Sequence, residues 1–352
     1  MTAQPVPKRR AFGAKTITLA HGGGGSAMRD LIDDVFLAPF SGEGHGAPED
    51  QARFDLAALS AKGDRLAFTT DSFVVDPLFF PGGDIGKLAI CGTVNDLAVG
   101  GAVPVALSCA VIIEEGLDVE VLRRVVTSMA ETARAAGVSI STGDTKVVAR
   151  GACDKLFITT TGIGVVRAGL DVGITRARPG DVVLVNGLLG DHGAAILNAR
   201  GDLALDTEIE SDCAPLNGLI ETLIAAAPGI RMMRDATRGG VAAVVNELAE
   251  ASAVGVRLSE LALPMRPEVQ GFCEILGLDP LYLANEGKIL AVVPPEEAQA
   301  ALAALRAHPL GREAAIIGTV SDGRPGRVTM ETRFGGERIV DMLVGDQLPR
   351  IC

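Results

Sequence analysis

The chain has 352 residues, a length that suits two domains of about 150 residues each. Hydrophobic residues make up 48% and charged residues 22%, the balance of an ordinary globular protein. A net charge of −12, no Trp and a single Tyr argue against a nucleic-acid binder and against docking on an anionic membrane surface.

Residues 1–17 read as a disordered extension. Its KRRAFGAK segment holds Arg9-Arg10 but lacks the apolar region of an export signal, so a cytoplasmic location is expected. HGGGGSAMRDLI (21–32) is a glycine loop entering a helix near Ser26. Gly23 and Gly24 there let backbone N–H groups approach phosphate oxygens, although a flexible linker has the same composition. The Lys-Ser/Thr pair that ends a P-loop is absent, and His21 reads as structural, with a phosphate contact as the alternative.

Residues 41–52 are polar and glycine-rich, a loop. RLAFTT reads as a strand ending at Asp71, and 85–99 as a helix stopped by Gly100-Gly101. PVALSCAVII is a buried strand. The next stretch predicts an amphipathic helix capped by Asp118 and closed by Gly137, with Val119, Leu122, Val125, Val126, Met129 and Ala133 at helical spacing. Strands near 138–142 and 156–166 complete the first half. Residues 167–181 are the expected domain junction, ending in the turn Pro179-Gly180. In the second half, DVVLVNG is a buried strand and a helix starts from Gly239-Gly240, another anion-binding helix start. Further strands are expected at 256–260, 288–293, 315–320 and 327–332, and helices near 213–226, 267–277 and 295–307. No apolar run approaches the length of a membrane span. The six cysteines are too dispersed for a CxxC zinc site or a disulfide framework, which points to a reducing compartment. Cys91, Cys109 and Cys273 sit in apolar runs and read as core.

The informative residues are carboxylates where structure alone would not put them. Asp71 ends a strand, Asp96 sits with Asn95 inside an apolar helix, and Asp144 follows a strand break at Gly143. Asp235 precedes the Gly239-Gly240 helix start, and Glu286 lies in ANEGK. Singly, each Asp reads as a cap or turn. Carboxylates converging on one point repel one another unless a divalent cation lies between them, and hard oxygen donors suit Mg²⁺ arriving with phosphates. Such bridging also lets an acidic protein hold an acidic nucleotide.

HGGGG, TTDSFVVDPLFFPGGDIGKLAICGTVNDLAVGGAVP, STGDTKVV, MRDATRGG, NEGK and the closing PRIC together resemble the HypE family of hydrogenase maturation proteins, over nearly the whole chain and in family order. The wider likeness is to the superfamily of aminoimidazole ribonucleotide synthetase. The resemblance implies an α/β (α+β), two-domain PurM-like fold. Residues 18–166 would form an ATP-binding domain whose sheet pairs with a second subunit's in a dimeric β-barrel. Residues 167–344 would form a C-terminal α/β domain, and 345–352 a mobile tail carrying Cys352. The implied activity is ATP-dependent dehydration of a carbamoyl group, loaded on Cys352 by a HypF-like carbamoyltransferase. The resulting cyanide goes to iron held by a HypC–HypD complex, as a ligand of the [NiFe]-hydrogenase centre.

By resemblance and by chemistry, Asp71, Asp96, Asp144 and Asp235 hold Mg²⁺ and ATP. Lys146 neutralises charge on the transferring phosphoryl group, with a surface charge as the plain alternative. Glu286 is the candidate base or orienter of the carboxamide nitrogen, with a solvent-facing turn as the alternative. A tail from Asp346 reaches roughly 23–25 Å, enough to swing a thiol between an internal and an external site. Two rival functions are an enzyme that phosphorylates an oxygen of a free small molecule and a nucleotide-sensing assembly scaffold.

Overall fold

A computed structural model describes residues 12–40, 49–201, 209–343, 345 and 350–352. The expectations for residues 1–11, for 41–48 of the polar loop and for 346–349 of the tail lie outside the described residues. The first half contains α1 (Ser26–Leu31), α2 (Leu56–Ser60), β1 (Arg65–Phe73), a hairpin of β2 (Phe79–Phe80) and β3 (Gly83–Asp84), α3 (Ile85–Val99), β4 (Ala102–Glu114), α4 (Val119–Ala136), β5 (Ser139–Val148) and β6 (Leu156–Val166). The second contains β7 (Val182–Val185), α5 (Asp191–Ala199), α6 (Asn217–Ala226), β8 (Met232–Asp235), α7 (Gly240–Ala251), β9 (Gly255–Ser259), α8 (Pro267–Leu276), β10 (Ile289–Val293), α9 (Ala298–Ala307), β11 (Ala315–Ser321), β12 (Val328–Glu331) and β13 (Glu337–Ile339).

The first sheet runs β1-β6-β4-β5, with β4 and β5 parallel and the other pairs antiparallel. Side chains alternate across a pleat, so each row of partners shares a face. Ala67, Thr69, Asp71 and Phe73 of β1 point inward, towards α3, while Phe68 on the other face is 71% exposed and Leu66 67%. That second face, continued by Thr159, Ala110 and Asp144, is open. Helix α4 forms as its spacing predicts: Asp118 accepts the Glu120 N–H, Gly137 takes the left-handed conformation, and the apolar stripe is buried.

The second sheet runs β13-β12-β9-β11-β7-β10-β8. All five residues of β10 are buried because both of its faces are covered. Leu290 and Val292 pack with Val241, Val245 and Leu248 of α7. Ile289, Ala291 and Val293 pack with α6 and α9, in a cluster that also takes in Ala98 and Val99 of α3. Helix α3 is thus buried around its whole circumference, which is why its sequence shows no polar face.

Three boundaries differ from expectation. Strand β1 does not end at Asp71 but runs on to Phe73, paired throughout with β6. Strand β5 does not break at Gly143. It absorbs Ser141 as a bulge and continues to Val148, and Gly143 lies so close to β4 that a Cβ there would be 2.5 Å from the Cys109 carbonyl oxygen. Helix α6 starts at Asn217 rather than 213; Asn95 binds the preceding backbone at the Ala214 carbonyl and the Leu216 N–H.

Candidate active site

Asp71, Asp96, Asp235 and Glu286 come together where the two halves meet. Asp71 leaves the inner face of β1, and its Oδ2 stands 3.8 Å from where a Cβ on Gly92 of α3 would lie. Asp96 is one turn further along that face of α3 and accepts a hydrogen bond from the Thr69 hydroxyl at 3.0 Å. Burial, followed by the charges of Asp235 and Asp71, pushes the Asp96 carboxyl up to about 6. Asp235, at the end of β8, is raised by burial and by Asp71. Glu286 is raised well above its ordinary value of 4.5, first by burial and then by its acidic neighbours Asp212, Asp235 and Asp71, with Cys213 also contributing. Its Oε1 is buried without a hydrogen-bond partner. Among the described residues, no group of three or more His, Cys, Asp or Glu side chains is closed tightly enough to hold a metal ion by itself.

The Glu286 turn is braced by residues that carry no motif signal. Asp212 accepts the N–H of Glu286 at 3.0 Å and of Gly287 at 3.1 Å, and pairs with Lys288 Nζ at 2.9 Å. Burial opposes the Asp212 charge, but Lys288, His192 and these hydrogen bonds outweigh it and hold the carboxyl below its ordinary range. Gly287 has no room for a side chain, since a Cβ would fall 1.9 Å from the Asp212 carbonyl oxygen. Asn95 donates to the carbonyls of Ala214 and Glu286. The buried Asn beside Asp96 is therefore a fully paired strut between the halves, and Asp96 alone of the two faces the site.

Asp144 and Lys146 stand elsewhere. Both project from the open face of β5, three strands from Asp71 and on the opposite side of the sheet, and they form an exposed ion pair at 3.3 Å. The glycine loop flanks the same strand: Gly22 is pressed against Val147, and Gly23 and Gly24 follow at the surface. His21 is buried and structural, its Nδ1 accepting the Thr18 N–H. Gly239 and Gly240 both take left-handed conformations at the start of α7.

Cys352 lies beside the segments that bear Asp235 and Glu286. Val74 N–H donates to the Cys352 main-chain oxygen at 3.0 Å, and Asp76 N–H to the Arg350 carbonyl at 3.3 Å. Ile351 is buried in the first-half core. The thiol-bearing residue lines a cavity of about 270 Å³ together with Val74, Arg238, Gly239, Ala284 and Arg350. Residues 238–239 and 284 are the immediate neighbours of the Asp235 and Glu286 segments.

Fold and site define an AIR synthase related protein: the N-terminal domain model of that class matches residues 49–166 and the C-terminal domain model residues 178–331. The "Carbamoyl dehydratase HypE" of Rhodobacter capsulatus is 62% identical over 336 residues, 96% of this chain and 98% of that protein. A crystal structure of the hydrogenase maturation protein HypE in complex with ATP superposes with a TM-score of 0.90 at 50% identity, covering 95% of this chain and 99% of that one. A HypE–HypF complex gives 0.77 at 52% identity, over 79% and 90%. The chain belongs to the HypE family of hydrogenase maturation proteins.

Proposed function

We propose that the chain uses ATP to dehydrate a carbamoyl group carried on Cys352 to the S-cyanide, in the maturation of [NiFe]-hydrogenase. The observation that carries this reading is the seating of Cys352 in a cavity walled by the segments that bear Asp235 and Glu286. A carboxamide does not lose water readily, because its oxygen would leave as oxide or hydroxide. Phosphorylating that oxygen makes phosphate the leaving group. The γ-phosphoryl passes from ATP to the carbamoyl oxygen and ADP departs. The C–O bond then breaks as the nitrogen gives up both of its protons. Cys–S–C(=O)–NH₂ and ATP thus become Cys–S–C≡N, ADP, phosphate and a proton. Glu286 takes a proton from nitrogen; a carboxylate whose pKa is raised by burial is a stronger base than one in water. Its orphaned Oε1 is the acceptor that the substrate N–H satisfies.

The donor set fits Mg²⁺. Asp71, Asp96 and Asp235 offer hard oxygens; burial and then the charges of Asp235 and Asp71 raise Asp96, and a divalent cation would relieve that repulsion. Bound there, Mg²⁺ supplies charge neutralisation for the ATP phosphates. Asp144, Lys146, Gly23 and Gly24 contribute to nucleotide binding from a second subunit, when the open sheet faces of two copies pair as a β-barrel. This reading agrees with the apolar exposure of Leu66 and Phe68 on that face. The division into residues 18–166 and 167–344 plus a tail belongs to the same reading.

The loading partner is a HypF-like carbamoyltransferase, consistent with the complex of the relatives. The cyanide is passed to iron on a HypC–HypD complex. A second, outward position of the tail serves both exchanges. A carrier thiol must stay reduced, so the reading puts the chain in a reducing compartment, the cytoplasm. Among the described residues no helix is long and apolar enough to cross a membrane. Intact-mass measurement after incubation with the carbamoyltransferase, carbamoyl phosphate and ATP tests the proposal. Gain of a carbamoyl group on Cys352 followed by loss of one water is the expected course; an unmodified Cys352 overturns it.

A further inference from the structure

The seat of the last three residues draws donors from both halves of the chain. Besides Val74 and Asp76, Arg200 at the end of α5 donates from Nη2 to the Arg350 carbonyl at 2.8 Å, and Arg350 returns Nε to the Val74 carbonyl at 3.1 Å. Arg350 takes a left-handed conformation there, which is strained for a residue with a side chain. The docked state is therefore a balance of local strain against these hydrogen bonds, the burial of Ile351 and an ion pair of Arg350 with Asp154.

His192 makes the bond at the middle residue. It lies in the first turn of α5, fully buried, with its ring edge against Phe80 at a centroid distance of 5.6 Å. Its Nε2 stands 2.8 Å from the Ile351 carbonyl oxygen and its Nδ1 2.8 Å from the Ser211 hydroxyl. The carbonyl only accepts, so Nε2 carries the proton and Nδ1 accepts from Ser211. Ser211 Oγ also accepts the Cys213 N–H, which fixes the direction of the hydroxyl. The same ring is tied to the Glu286 turn by two short routes. Ser211 precedes Asp212, which clamps the N–H groups of Glu286 and Gly287. On the helix side, Gly193 N–H donates to the Ala284 carbonyl at 3.0 Å, and Gly190 N–H to the Asn285 side chain at 2.8 Å.

We propose that His192 is a positioning residue that sets the register of Cys352 against Glu286, through the bond from Nε2–H to the Ile351 carbonyl. This deepens the dehydratase reading and rests on it for its consequence, though the seating itself stands without it. The ring holds the carbonyl that lies two backbone bonds and two side-chain bonds from the carrier sulfur, while its other nitrogen and its helix fix the turn that bears the base. One side chain thereby aligns the cargo and the proton acceptor.

The test measures the rate at which a bulky maleimide alkylates Cys352 in the full-length protein with ATP present, read on the C-terminal peptide by mass. His192→Phe keeps the ring against Phe80 and removes both nitrogens. Losing one such hydrogen bond shifts the docked population about tenfold, so Cys352 should be alkylated about tenfold faster. Carbamoyl loading by the partner should be as fast as in the wild type or faster, and dehydration of the loaded chain slower by about the same factor. His192→Gln, whose amide can place a donor near Nε2, should restore both rates. Should His192→Phe fail to fold, Ser211→Ala removes the hydroxyl that orients the ring, together with the acceptor of the Cys213 N–H, and should move alkylation in the same direction. Wild-type alkylation rates in the folded variants overturn the proposal. A wild-type chain that is loaded but never dehydrated overturns the reaction assigned above, and the alkylation rates still decide the role of His192.

Discussion

At the scale of single residues, Glu286 shows how burial sets chemistry. Its folded pKa lies well above the ordinary value of 4.5, first because it is buried and then because of acidic neighbours. A carboxyl raised by folding contributes stability that is full below the unfolded pKa and is lost as pH rises through the folded one. Glu286→Gln carries no such charge. Urea unfolding should therefore find the variant gaining stability relative to the wild type as pH rises above the ordinary glutamate value of 4.5; a difference that shrinks as pH rises contradicts the assignment. The same variant should still accept a carbamoyl group and fail to dehydrate it, as intact mass would report. The motif residues Asp71, Asp96, Asp235 and Glu286 were legible in the sequence because each carboxylate sits where its element does not need one. Asp212 and His192 were not, because a residue whose partners are backbone groups distant in sequence leaves no local pattern.

Among the elements, α3 joins the halves. Its sequence read as an apolar helix, and the structure buries that helix on nearly every side. Which polar residue in it faces the site was not readable, since both Asn95 and Asp96 were anomalous in an apolar run. Contacts from residues 214, 216 and 286 settle that Asn95 is structural. Asn95→Ala would orphan those three backbone groups, and should cost about 2–4 kcal/mol in chemical denaturation while leaving the Asp96 side chain in place. A loss within the usual scatter of surface substitutions would mean the strut is dispensable. Strand β5 carries the opposite lesson. Gly143 suggested a break, but the close approach of β4 explains the glycine, and the strand continues through it.

For the whole molecule, the expected convergence of four aspartates is met by three within one chain, with Asp144 and Lys146 on the far face of the sheet. Alternation along β5 puts them there, and only the register with β4 reveals it. If that face pairs with a second copy, Phe68→Glu should yield a monomer by light scattering and lose ATP-dependent turnover, whereas a variant that remains dimeric and active rules out this face as the interface. In the proposed reaction ATP activates the oxygen of a carbamoyl group held on Cys352. A heavy-oxygen label placed in that group and followed through one turnover is the decisive test. The label should be recovered in inorganic phosphate; label released as water, with unlabelled phosphate, contradicts that reaction.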